Sequence, residues 1–98
     1  MAFRNTIVFT RPDTGVEWPP ISQDYKEVGM DWHQKGWRTF VSREFSDDEL
    51  TQTVIVEFLS EEKKFDFSEH STSRAYFNER DIYCIENDIT LKVTTEEI

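Results

Sequence analysis

The chain has 98 residues, of which 37% are hydrophobic, 14% aromatic and 32% charged, with a formal net charge of -9. Twenty carboxylates against eleven Lys plus Arg argue against a nucleic-acid partner, because the phosphate backbone repels such a field. One cysteine, Cys84, excludes an internal disulfide framework and a cysteine-rich zinc site.

Eight Phe, three Trp and three Tyr supply bulk for a core, so the acidity does not imply disorder, and the length suits one domain over residues 1–98. No window approaches the roughly eighteen apolar residues of a membrane span. No apolar run follows Arg4, so no secretory leader is expected and a cytoplasmic location is the default expectation.

Phe3 to Arg11 alternates as a strand, with Phe3, Ile7 and Phe9 on one side and Arg4, Thr6, Val8 and Thr10 on the other. Arg11-Pro12-Asp13-Thr14-Gly15 ends it in a turn, and Trp18-Pro19-Pro20 keeps the following chain extended. Ser22 is a good N-cap, and Ile21, Tyr25, Val28 and Trp32 recur at helical spacing, so a helix is predicted from Ser22 to about Lys35. Gly36 is placed to end it in the left-handed conformation.

Trp37–Phe45 and Leu50–Leu59 read as a hairpin around Ser46-Asp47-Asp48-Glu49. Pairing Phe45 with Leu50 sets Val41 opposite Val54, Phe40 opposite Ile55 and Arg38 opposite Glu57, matching apolar with apolar and cation with anion. Ser60-Glu61-Glu62 reads as a helix start anchored by Phe65 and Phe67. The polar run Ser68–Ser73 breaks or kinks it before a second piece from about Thr72 to Asn87. Ile89, Leu91 and Val93 alternate as a last strand, with Thr95–Ile98 as a frayed tail.

The order strand, helix, strand, strand, helix, strand predicts an α+β fold. Specifically, it predicts a ferredoxin-like βαββαβ arrangement, a four-stranded antiparallel sheet with two helices on one face and the first and third strands central. The covered face is expected to carry Ile7, Phe9, Val41, Val54, Val56 and Phe58. Val8, Phe40 and Ile55 then form an apolar belt on the other face, the mark of an interaction surface.

Leu50-Thr51-Gln52-Thr53 running to Phe58-Leu59-Ser60-Glu61-Glu62, and the helix ending near Arg80-Asp81-Ile82-Tyr83, resemble the third strand and second helix of the dimeric α/β-barrel superfamily. Order and length extend the resemblance over nearly the whole chain, without a diagnostic motif. The resemblance implies a homodimer closed sheet face against sheet face. Some members are cofactor-free monooxygenases or isomerases, and others hold haem through a histidine.

Few residues suggest chemistry. His33 is a candidate base or ligand, although a His in a last helical turn also serves simply as a cation at the dipole's negative end. Tyr76, Arg80 and Tyr83 form a helical stripe suited to an anion or a planar ligand, or to an arginine lying along aromatic rings. Trp32 and Trp37 line a pocket in this reading or plug the end of the core. His70 reads as a loop residue, and Asp31 and His33 with Glu69 and His70 lack any metal-ligand spacing. Cys84 reads as a small core residue.

Trp32, His33, Trp37, Tyr76 and Arg80 are therefore the ligand-pocket candidates, and Val8, Phe40 and Ile55 the interface candidates. No catalytic residue, metal or cofactor is assigned. The leading expectation is an acidic, self-associating binding or assembly protein. The alternative is a small-molecule-binding protein or enzyme of the barrel type, and a viral or phage accessory protein is a third class that no residue tests.

Overall fold

The computed structural model describes the whole chain from Met1 to Ile98. Its elements are β1 (Phe3–Thr10), α1 (Gln23–Gln34), β2 (Arg38–Phe45), β3 (Thr51–Phe58), α2 (Glu61–Glu69), α3 (Ser71–Glu86) and β4 (Thr90–Glu97). The fold is α+β, with one antiparallel sheet in the order β2-β3-β1-β4. β1 and β3 are central, as the element order predicts.

The helix starts follow their caps. Ser22 Oγ accepts from the Tyr25 N–H at 3.2 Å, and Ser60 Oγ accepts from the Lys63 N–H at 3.2 Å, each satisfying one free donor of a first turn. Gly36 follows α1 with φ 74, the left-handed residue expected there.

Three helices, not two, cover the sheet. The second helical segment divides at His70, whose backbone is extended (φ -61, ψ 132) and cannot continue α2. Its imidazole Nδ1 accepts from the Thr72 N–H at 3.2 Å and so caps α3. A residue expected to be a plain loop histidine thus starts a helix. Within α2, Phe67 is the anchor at 2% exposure, whereas Phe65 faces outward.

The hairpin register differs from the predicted one. Phe40 pairs with Val56, Ser42 with Ile55, Arg43 with Val54 and Phe45 with Gln52. Val41 is the extra residue of a bulge between Phe40 and Ser42. Because directly opposed residues share a face, Phe40 lies with Val56 on the helix-covered side, and its assignment to the outer belt is corrected. Val41 is correspondingly half exposed, not a core residue. Arg38 pairs with Phe58, also on the covered face. Glu57 takes its cation from β1 instead, with Arg4 Nη2 2.7 Å from its Oε2.

The core joins Phe9, Val54, Val56 and Phe58 of the sheet to Trp32, Phe67 and Cys84 of the helices, so all three helices lie on one face. Four rings surround Phe67, with centroids at 5.1 Å (Trp32), 5.5 Å (Phe58), 5.8 Å (Tyr25) and 6.5 Å (Phe77). Edge-to-face and tilted contacts of this kind add to simple area burial. The opposite face is free of helices and presents Val8 and Ile55, both half-buried, among threonines and the Arg4–Glu57 pair.

The C-terminal residues form no loose tail. β4 continues to Glu97 opposite Phe3, and the Ile98 N–H donates to the Ala2 carbonyl at 3.0 Å. No helix is long and apolar enough to cross a membrane.

Candidate functional site

A cavity of about 510 Å³ lies between the covered sheet face, α1 and the middle of α3. Its volume falls in the range of small-molecule sites. Ile7, Phe9 and Val54 contribute apolar surface from the central strands, and Pro19 and Ile21 contribute from the segment leading into α1. Buried Gln52 adds one amide to that surface. Exposed Met30 and Phe40 sit at the rim.

Each wall acquires its polar groups by simple periodicity. Tyr25, Lys26, Gly29, Met30, His33 and Gln34 recur at one-turn intervals and place one flank of α1 on the cavity. Arg38 and Phe40 alternate along β2, and the bulge at Val41 brings Arg43 back to the same face. Tyr76 and Arg80, four residues apart on α3, complete the lining.

The charge of this lining is opposite to that of the chain. Lys26, Arg38, Arg43 and Arg80 all face the cavity, together with His33, and no Asp or Glu does. The other flank of α1 carries Asp24, Glu27 and Asp31 toward a shallow groove beside His70 and Thr72. One helix thus separates carboxylates from cations. Arg80 pairs with its exposed neighbour Asp81 at 3.1 Å, whereas Lys26, Arg38 and Arg43 make no ion pair.

The arginines are held by aromatic rings. The Arg38 guanidinium lies 4.7 Å from the Phe67 centroid and 5.9 Å from that of Tyr25. Its Nε–H is buried and donates to no protein group, and burial lowers its pKa. Gly29 permits this placement, since a Cβ there would stand 3.2 Å from Arg38 Nη1. Arg80 lies 4.7 Å over Phe77 with its side chain only 11% exposed, and Arg43 lies 5.6 Å from the Phe40 ring.

Between these cations, Tyr25 and Tyr76 stack at 4.1 Å with an interplanar angle of 24°. Burial pushes the Tyr76 phenol up to about 12 and raises that of Tyr25, so both are neutral hydroxyls near neutral pH. Neutral phenols donate hydrogen bonds, and an arginine-rich wall with such donors is chemically matched to an oxyanion.

Of the sequence-predicted pocket residues, the structure brings His33, Tyr76 and Arg80 together on the cavity. Trp32 and Trp37 lie off this cavity. Trp32 is a core residue at 7% exposure, packed edge-on against Trp37 at 5.1 Å. Trp37 lies under the ammonium groups of Lys35 and Lys63, at 4.7 and 3.9 Å from its centroid. Tyr83, on the predicted stripe, donates to the Glu17 carbonyl at 2.8 Å and ties α3 to the first loop.

Sequence reasoning missed Tyr25, Arg38, Arg43 and Gln52 as lining residues. The predicted register gave Glu57 only Arg38 as a partner, and the structure gives it Arg4 instead. Cys84 is buried, and burial pushes its thiol up, away from nucleophile character. No group of three or more His, Cys, Asp or Glu side chains is placed to hold a metal ion.

No protein-family model matches the chain, and no curated protein matches it.

Proposed function

We propose that this chain is a small-molecule-binding domain of ferredoxin-like topology that takes an organic anion into the cavity beneath α1. The observation that carries this reading is a cation-lined, carboxylate-free cavity in a chain of net charge -9. Burying Arg38 away from any anion has a cost in desolvation, and an anionic ligand supplies the missing partner. The apolar surface of Ile7, Phe9 and Val54 would hold the ligand's body while the arginines hold its charged end. The residues support binding and no particular reaction, because His33 is the lone imidazole on the lining and no nucleophile or metal-ligand set stands with it.

Central β1 and β3 support the ferredoxin-like assignment, with the second helical connection split at His70. The resemblance to dimeric α/β-barrel proteins supports a ligand cavity within each subunit.

A titration with anilinonaphthalene sulfonate, an aromatic anion, tests the reading. The expected result is saturable fluorescence at one site per chain, lost in Val54→Trp, which fills the cavity, and weakened in Arg43→Gln. An unsaturable signal, or one indifferent to both changes, would overturn it.

A second reading, a homodimer through the helix-free face, rests on Val8 and Ile55. These lie diagonally across the β1–β3 pair, since Thr6 opposes Ile55 and Val8 opposes Thr53. Light scattering over a concentration series tests it. A dimer that Ile55→Glu dissociates supports it, and a monomer at every concentration removes it.

A further inference from the structure

The four cations of the cavity are not spread around it evenly. Arg38 lies 5.9 Å from the Tyr25 ring and Arg80 6.0 Å from the Tyr76 ring, while Arg43, 5.6 Å from Phe40, faces the same cavity. Because the two rings stack at 4.1 Å, Arg38 and Arg80 flank one locus from β2 and α3, and Arg43 lines the same cavity from farther along β2. Only one of the three has a carboxylate partner, the exposed Asp81 beside Arg80. A single carboxylate would leave one of the two unpaired guanidinium charges uncompensated. A head group that concentrates two charges on three oxygens matches both the charge and the number of donors.

From this convergence we infer that the ligand is a compact dianion, a phosphomonoester carried on an apolar or aromatic body, with its phosphoryl oxygens among Arg38, Arg43 and Arg80. The inference rests on the anion-binding reading above and narrows it. The Tyr25 and Tyr76 hydroxyls supply further donors, and Gln52 lies toward the far end of the apolar floor. Along β3, Gln52 stands six residues from Phe58, the partner of Arg38, roughly 20 Å of strand. Arg43, whose backbone stands opposite Val54, reaches back toward Phe40 with its guanidinium 5.6 Å from that ring, so the head group belongs between the tyrosine pair and Phe40 and the body toward Phe9 and Gln52.

Calorimetric binding of four probes to the intact protein at constant pH and salt tests the head group. These are phenyl phosphate, methyl phenyl phosphate, phthalate and benzoate. The expected result is that phenyl phosphate binds at least about tenfold more tightly than the monoanionic methyl ester, and that Arg43→Gln removes most of that gap. Arg43 is exposed, so this variant keeps the fold.

Equal binding of both esters and benzoate would overturn the dianion while leaving an anion site. Phthalate binding as tightly as phenyl phosphate would overturn the compact head group. Binding of none of the probes by wild type, or equal binding by wild type and Val54→Trp, would remove the anion-binding reading itself.

Discussion

Two regions of the same covered sheet face are built from aromatic and cationic side chains and reach opposite outcomes. Around Phe67, four rings and the Arg38 guanidinium close on one phenyl group, leaving it 2% exposed. One helix flank away, around Tyr25 and Tyr76, the sheet is left open over a cavity of about 510 Å³. The difference lies in what projects from the helices. α2 inserts a phenylalanine, whereas α1 presents Gly29 and the long side chains of Lys26 and Met30, which leave the space unfilled. Arg38 and Tyr25 belong to both regions, so the dry cluster holds in place the groups that the cavity exposes.

Several substitutions break or sharpen this contrast. The largest effect is expected at the closed region: Phe67→Ala should destabilise the fold by about 3–5 kcal/mol, read from denaturant unfolding, because it removes the ring on which the others pack. A loss below about 1 kcal/mol would mean that the cluster is not the stabilising centre.

Next is alkaline sensitivity at the boundary. The Tyr76 phenol has a folded-state pKa raised to about 12 from its ordinary value of 10.0. Between these values the unfolded chain binds fewer protons at this site, so its stabilising contribution is complete below pH 10 and falls as pH rises through 12. The loss attributable to this group is about 2–3 kcal/mol. Tyr76→Phe should flatten the decline between pH 9 and pH 12, and an unchanged slope would show that Tyr76 ionises freely.

A smaller effect of opposite sign is expected at Gly29. Gly29→Ala improves helix propensity by up to about 1 kcal/mol, and the crowding it introduces falls on the movable end of Arg38. Thermal stability should hold or rise while affinity for an aromatic anion falls. A loss of stability with unchanged affinity would place the close approach outside the binding function. The smallest effect is expected at Val41→Thr, within about 0.5 kcal/mol of wild type, because the bulge turns this half-exposed side chain away from the core.

Much of the architecture is legible in residue order. Alternation marks the strands, Ser22 and Ser60 mark two helix starts, and Gly36 marks a helix end, because each depends on a neighbour only a few residues away. Three of the five predicted pocket residues line the cavity. His33 lies at the end of a recognisable helix, and Tyr76 and Arg80 share a stripe that periodicity reveals. Trp32 and Trp37 lie off that cavity: a tryptophan's size suits a pocket wall and a core equally, and only its neighbours decide between them. Phe40 failed for a different reason. Cross-strand matching favoured an unbroken register, and a single bulged residue at Val41 reverses which face every residue before it occupies.

Local chemistry in the sequence therefore determined the α+β class, the placement of the strands in the chain and most helix boundaries, since caps, turns and side-chain periods act over a few residues. The tertiary structure alone decided that Glu57 pairs with Arg4, that Arg38 and Arg43 turn inward, and that four cations share one cavity with a stacked tyrosine pair. Those outcomes depend on strand register and on the distance between helix and sheet. Both are set by contacts between residues tens of positions apart, for which no short segment carries a signal.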